Sequence, residues 1–369
     1  MDLGNRRVCP GGWRIALAVL AAAGTVSGPA RAQGVQGDAA AQCAAISAPL
    51  ERLACYDRLH GRPVESPARP DAAAPAPAAD PVAARAAASA PAATAAASAT
   101  PRLARRWDLA GDAGAGLFVP RPYRPVYVLP ATWTDRANTR PTSPAPDHTV
   151  TSDLNLRPVE AKYQLSLKAK LARSLFGTPL SLWGGYTQSS RWQVYNGADS
   201  RPFRETNYEP ELLVVAPLQG EVLGWRLGLA SLSLSHQSNG RALPLSRSWN
   251  RIIGTLAFER GDWVAELRPW WRIPESQADD DNPDISNHLG RMELQLNRYW
   301  GDHAFVLQLR HSLRSGAASR GSAQLEWVFP IEGALHGYLQ VFTGYGESLV
   351  DYNLRQNRIG LGLTIAGWQ

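Results

Sequence analysis

Residues 161–171 read Ala161-Lys162-Tyr163-Gln164-Leu165-Ser166-Leu167-Lys168-Ala169-Lys170-Leu171. Apolar and polar side chains change places at every step. That is the period of a β-strand with one apolar and one polar face, because successive side chains of a strand point to opposite sides. A helix would place its apolar residues three and four apart instead. The same alternation returns along the chain. Met292, Leu294 and Leu296 alternate with Arg291, Glu293, Gln295 and Asn297, and Phe305, Leu307 and Leu309 face away from Gln308 and Arg310. Ala323, Leu325, Trp327 and Phe329 oppose Gln324 and Glu326, and Ile359, Leu361, Leu363 and Ile365 oppose Arg358 and Thr364.

A soluble sandwich could alternate in this way, but three features favour a membrane barrel. Apolar faces recur in nearly every strand, the opposite faces carry many charges, and Trp and Tyr gather near strand ends as interfacial girdles do. In lipid, only a closed sheet satisfies the strand edges. Eleven strands are legible between residues 158 and 367, and a weaker one near Arg121–Trp133 brings the total to twelve. The expected fold is therefore all-β, a twelve-stranded antiparallel transmembrane β-barrel. Its polar, charged interior predicts a narrow lumen filled by side chains rather than a wide channel.

Upstream, the texture is different. Arg6, Arg7 and Arg14 precede an apolar stretch from Ile15 to Val26, and small residues follow to Ala30-Arg31-Ala32. This is the order of a secretory signal peptide, predicting residues 1–32 as that peptide with cleavage after Ala32. A membrane-crossing helix needs about 20 consecutive apolar residues, and this stretch is too short. Residues 33–61 form a small cysteine-containing segment with helical character, expected in the periplasm. Cys43 and Cys55 are an even pair in an oxidising compartment, which favours a disulfide and leaves two free thiols as the alternative. Residues 62–119 read as a linker whose Ala- and Pro-rich composition over about 63–101 cannot bury a core, so disorder is expected. The barrel domain is 120–369. The formal net charge is +6, but the basic residues are dispersed over strand positions and no nucleic-acid motif accompanies them. An anionic membrane surface is the better electrostatic partner.

The chemistry-bearing stretch is Ala230-Ser-Leu-Ser-Leu-Ser-His236-Gln237-Ser238-Asn239-Gly240-Arg241, followed after a hairpin loop by Ser246-Arg247-Ser248-Trp249-Asn250-Arg251. His236 and Ser238 continue the apolar face of Ala230, Leu232 and Leu234. Asn250 shares the apolar face of Ile252, Gly254, Leu256 and Phe258. If His236 lies across from Asn250, their Cβ atoms are about 5 Å apart. Polar groups continuing a lipid-facing stripe are costly unless paired or functional. The functional reading makes Ser238 a nucleophile, His236 its general base and Asn250 the group that holds the imidazole. The plainer reading is that the strand leaves the membrane here.

The segment His236-Gln-Ser-Asn-Gly-Arg241 with Ser246-Arg-Ser-Trp-Asn-Arg251 closely resembles the active-site segment of the bacterial outer-membrane phospholipase A family. Similarity continues through Tyr186-Thr-Gln188, Arg204-Glu-Thr-Asn-Tyr-Glu-Pro210, Asp281-Asn-Pro-Asp284 and Gly344-Tyr-Gly-Glu-Ser-Leu-Val-Asp-Tyr-Asn353, covering roughly residues 120–369. The resemblance implies calcium-dependent hydrolysis of phospholipid acyl esters, of phospholipase A1/A2 and lysophospholipase type, at the bacterial outer membrane. It implies a catalytic triad of Ser238, His236 and Asn250 on the lipid-facing side and an oxyanion donor at the Gly240 N–H. It further implies one Ca²⁺ per active site, held by the Arg241 carbonyl, the Ser246 side chain and Ser200 from a second subunit. Activation by homodimerisation follows, with Gln188 at the dimer interface, although on residue pattern alone Gln188 could face the lumen. The chain departs from the family at Gln237 and Leu243, where some relatives carry acidic residues, so an auxiliary calcium contact is expected to be weaker. A passive porin or channel is the alternative function. It shares the barrel but does not call for a polar triad on the lipid face.

Overall fold

The computed structural model describes residues 42–59, 100–109, 116–199 and 203–366. The expected signal peptide, most of the linker and Ser200 lie outside the described residues. The N-terminal part and the barrel form two compact units. In the first, helix α1 (Pro49–Leu59) carries Cys55, which is disulfide-bonded to Cys43.

The second unit is a closed barrel of twelve long antiparallel strands: β1 (Val126–Thr134), β2 (Val159–Ala172), β3 (Ser181–Trp192), β4 (Glu205–Pro217), β5 (Trp225–Ser238), β6 (Ser248–Arg260), β7 (Trp263–Ile273), β8 (Met292–Trp300), β9 (His303–His311), β10 (Gly321–Glu332), β11 (Leu335–Gly344) and β12 (Gln356–Ala366). Each pairs with its neighbour in sequence, and β1 closes the cylinder by pairing with both β2 and β12. Two short pairings, Arg121–Pro122 on β2 and Glu221–Val222 on β5, extend the sheet. The weak twelfth strand of the sequence is β1, displaced slightly downstream. Pro130 supplies no N–H, and around it the register shifts between Leu129 and Thr132 on one side and between Leu361 and Leu363 on the other. A bulge at such a proline keeps the strand in the sheet while breaking the alternation that would announce it.

The cylinder is inside out relative to a soluble protein. In β2, Lys168 is 0% exposed whereas Leu165 is 51% exposed. Outward-facing leucines, valines and isoleucines form a band around the wall, and the exposed Trp133, Trp192, Trp271, Trp263 and Trp300 lie near strand ends. This is the surface of a protein dissolved in lipid with aromatic girdles at both interfaces. Turns at one end are short, such as Gly261-Asp262 and Gly301-Asp302, whereas loops at the other end run through 135–158, 193–204 and 274–291. Short turns mark the periplasmic end and long loops the extracellular end.

Inside, many of the charges are paired. Glu160 lies against Arg204 and Arg358, Glu209 against Arg124 and Arg251, Glu293 against Arg268 and Arg310, and Glu347 against Lys162 and Arg191. Each carboxylate thus sits between two cations, which is how buried charges are tolerated. A space of about 130 Å³ remains among these side chains, lined by residues that include Arg124, Lys162, Arg191, Glu209 and Glu347. The lumen is filled, as expected, and offers no room for a wide pore. At the periplasmic end, helix α2 (Arg102–Trp107) enters the barrel, burying Leu103 and Trp107. Glu259 accepts from the Leu103 N–H at 3.0 Å, and Arg106 pairs with Glu266 at 3.2 Å. Gly228 makes room, since a Cβ there would meet Leu103 Cδ1 at 2.7 Å. These residues fall inside the stretch read as linker. Local composition around Pro101 hides them, because only the barrel interior gives the short helix its partners.

Candidate active site

Strands β5 and β6 build the site at the extracellular end of the barrel. Their register puts Leu234 opposite Ile252, His236 opposite Asn250 and Ser238 opposite Ser248. Leu232 and Leu234, 59% and 52% exposed, lead the stripe outward, and the exposed His236 continues it. Ser233 and Ser235 turn inward and are buried. Period-two geometry therefore places His236 and Ser238 on the lipid face, two residues apart on one strand.

His236 Nδ1 lies 2.8 Å from Asn250 Oδ1. With Oδ1 as acceptor, Nδ1 carries the proton and the Nε2 lone pair is free for a donor. Among the described residues, no hydrogen bond joins Ser238 Oγ to that nitrogen. Such bonds commonly tighten only when substrate is bound. Asn250 also donates from Nδ2 to Glu275 Oε1 at 2.8 Å, a contact that sequence reading missed.

The loop between the two strands is organised by Asn239, which is 3% exposed. Its Oδ1 accepts from the backbone N–H groups of Arg241 (3.2 Å) and Arg247 (3.0 Å), and its Nδ2 donates to the Leu245 carbonyl (2.7 Å). Its own N–H donates to the Arg247 carbonyl at 3.0 Å. Gly240 follows at φ +60°, a left-handed conformation that suits glycine, with the Tyr208 ring beside it. Arg247 is fully buried and donates to the carbonyls of Pro244, Ser246 and His148. The loop that presents Gly240, Arg241 and Ser246 is thus held from within.

Ser246 Oγ donates to Asp281 Oδ2 at 2.8 Å, and Ser248 Oγ to the same oxygen at 3.1 Å. His148 Nε2 lies 2.9 Å from Asp281 Oδ1, and the Ser248 N–H donates to Asn282 Oδ1 at 3.0 Å. Among the described residues, no cluster of three or more His, Cys, Asp or Glu side chains could hold a metal. A cation here would rest mainly on carbonyl and hydroxyl oxygens. Sequence spacing does not reveal Asp281 at this place, because it arrives from a loop 35 residues away. Leu243 is exposed and Gln237 faces the lumen side, accepting from Trp249 Nε1 at 2.8 Å.

Gln188 sits on the lipid face, not in the lumen: it pairs laterally with Leu165 of β2 and Tyr208 of β4, and Tyr208 pairs with Ser238. At about 4.8 Å per strand, Gln188 is two strands, about 10 Å, from Ser238. Its amide accepts from Tyr186 Oη at 3.0 Å. Seven of the eight site residues read from sequence are therefore described. Six of them (His236, Ser238, Gly240, Arg241, Ser246 and Asn250) cluster at the β5–β6 hairpin, and Gln188 lies on the adjoining lipid face.

A family model described as phospholipase A1 matches residues 103–365. The chain is 36% identical over 349 residues to a Neisseria meningitidis serogroup B protein proposed to be a phospholipase A1, a match covering 89% of this chain and 91% of that protein. It is 40% identical over 211 residues to phospholipase A1 of Escherichia coli K12, covering 57% of this chain and 71% of the relative. Among solved structures, outer membrane phospholipase A from Escherichia coli superposes with a TM-score of 0.62 at 34% identity, covering 72% of this chain and 98% of that one. The Salmonella typhi outer membrane phospholipase, solved as a dimer with bound calcium, gives a TM-score of 0.63 at 33% identity over 73% and 100% of the two chains.

Proposed function

The chain belongs to the phospholipase A1 family, an outer-membrane enzyme that hydrolyses phospholipids, and we propose that it does so with Ser238, His236 and Asn250 as its catalytic residues. The carrying observation is the His236–Asn250 hydrogen bond on an exposed apolar stripe, where a polar pair is costly without a use. Ser238 Oγ attacks the ester carbonyl carbon while His236 Nε2 takes its proton. The ester C–O bond then breaks, and His236 returns the proton to the leaving alcohol oxygen. Water, deprotonated by the same nitrogen, releases the fatty acid and restores Ser238. Asn250 holds the imidazole ring and its tautomer throughout. The Gly240 N–H, presented by a left-handed turn, donates to the developing oxyanion.

Calcium fits the oxygens available. Ser246 Oγ donates its hydrogen bond to Asp281, which leaves the oxygen's lone pairs for a cation, and Asp281 adds a nearby negative charge. All-oxygen ligands suit this hard ion. The Arg241 carbonyl, Ser246 Oγ and Ser200 of the partner subunit would hold it, one ion per active site. When bound, calcium polarises waters that help to hold the oxyanion. A site that borrows a ligand from a second copy is complete only in the homodimer. Gln188 supports that reading, since its polar amide on the lipid face about 10 Å from Ser238 is better satisfied against another chain.

The test is fatty-acid release from phospholipid micelles by refolded protein, with Ca²⁺ and with excess chelator, alongside sedimentation. Calcium-dependent release accompanied by dimer formation supports the mechanism. Release that is unchanged by chelation, from monomer, would overturn the calcium and dimer assignments.

A further inference from the structure

A side-chain amide can sit in its hydrogen bonds two ways round, and only one orientation serves His236. Asn250 meets His236 Nδ1 through Oδ1 and Glu275 Oε1 through Nδ2, each at 2.8 Å. A carboxylate carries acceptors only. While Glu275 is charged, the reversed amide would set its carbonyl oxygen against the carboxylate, so Nδ2 must face Glu275 and Oδ1 must face the imidazole. An acceptor at that place admits only Nδ1–H, which leaves the Nε2 lone pair for Ser238.

Glu275 is itself held. It lies just beyond β7 with 17% of its side chain exposed, and Arg272 Nη2 lies 3.3 Å from its Oε2. Arg272 also binds Asp280 Oδ1 at 2.5 Å and the Pro283 carbonyl at 3.0 Å. The groups facing Glu275 are therefore Asn250 from β6, Arg272 from β7 and Asp280 from the following loop.

We propose that Glu275 is a positioning residue for ester hydrolysis, a carboxylate that fixes the amide of Asn250, and through it the His236 tautomer, and that stabilises the imidazolium formed as Ser238 attacks. The proposal rests on the Ser238–His236–Asn250 reading. Polarisation passes along the chain of hydrogen bonds, because an amide that donates to a charge becomes a better acceptor at its oxygen. Burial raises the Glu275 carboxyl above its ordinary value, with Asp280 adding to that and Arg272 opposing it. Acidification therefore protonates Glu275 earlier than an exposed glutamate. A protonated Glu275 can donate as well as accept, and its hold on Asn250 lapses.

The experiment compares wild type, Glu275→Gln and Glu275→Ala for phospholipid hydrolysis across pH, with Ser238→Ala as the blank and gel mobility with and without heating as the folding control. Glutamine keeps the size and the hydrogen bond but loses the charge and the acceptor-only character. One charge about 7 Å from the imidazolium predicts a kcat about 3- to 50-fold lower with KM little changed. The acid limb of kcat/KM moves down by about 0.5–1.5 pH units, because the imidazolium loses its support. Glu275→Ala is expected to match Glu275→Gln. If Glu275 only tethers its loop, Glu275→Gln keeps the wild-type plateau and acid limb, which overturns the proposal. Nitrogen NMR of the His236 ring in the wild-type protein is an independent measurement, needing no variant to fold. The Nδ1–H tautomer is expected, and the Nε2–H tautomer overturns the proposal. A wild type that releases no fatty acid removes the triad reading and this proposal together. An active wild type with an indifferent Glu275→Gln removes this proposal alone.

Discussion

Replacing Asn239 by alanine should weaken the enzyme's response to calcium while leaving the barrel standing. The amide makes three hydrogen bonds inside the β5–β6 loop, to the N–H of Arg241, the N–H of Arg247 and the carbonyl of Leu245. At about 0.5–1.5 kcal/mol net for each bond, their loss costs the loop about 2–3 kcal/mol. The strands are unaffected, since the side chain takes no part in the β5–β6 ladder. The cost falls on the arrangement of the Gly240 N–H, the Arg241 carbonyl and Ser246. If calcium must re-order that loop in order to bind, its apparent affinity drops by about 30- to 140-fold, at 1.4 kcal/mol per tenfold. The assay is a calcium titration of fatty-acid release, read beside gel mobility before and after heating. A wild-type calcium midpoint and wild-type rate in a folded Asn239→Ala protein would refute the idea that this amide holds the loop.

Ser246→Ala should raise the calcium needed for half-maximal release while leaving the rate at saturation within about tenfold of wild type, because one neutral ligand is lost rather than the nucleophile. Glu347→Gln leaves Lys162 and Arg191 without their shared buried anion and should destabilise the barrel by about 3–5 kcal/mol, measured by urea unfolding from vesicles. Asp284 gives a pH prediction. Burial works to raise its carboxyl, but hydrogen bonds from His288 (3.1 Å) and Tyr352 (2.5 Å) outweigh this and hold it below the ordinary carboxylate range. A depressed folded-state value means that its contribution is present above the unfolded value of about 3.9 and is lost as pH falls through the folded one. Proteolysis of the 274–291 loop should therefore increase in acid below about pH 4, and Asp284→Asn should flatten that rise.

The barrel was legible because lipid outside and ion pairs inside demand opposite chemistry at alternate positions, as Leu165 beside Ser166 and Lys168 makes plain. The strand that read weakly, β1, is the one whose Pro130 bends the register. His236 and Asn250 were legible as a pair because a hairpin makes them cross-strand neighbours, 14 residues apart in sequence but paired in space. Gln188 was ambiguous until lateral pairing with Leu165 and Tyr208 placed it on the lipid face. Glu275 and Asp281 were invisible as site residues. Both come from the long loop after β7, and no periodicity governs where such a loop returns. Helix α2 was hidden for a related reason, since a helix of six residues is made by the barrel interior that receives Leu103 and Trp107 and not by its own propensity.

The proposed nucleophile, Ser238, stands on the lipid-facing wall and attacks phospholipid esters. Fatty-acid release by wild type and by Ser238→Ala, both refolded and shown to have the same heat-dependent gel mobility, tests it most directly. Calcium-dependent release is expected from the wild type and none above background from Ser238→Ala. Equal release from both proteins would contradict it, because the nucleophile would then lie elsewhere on the molecule.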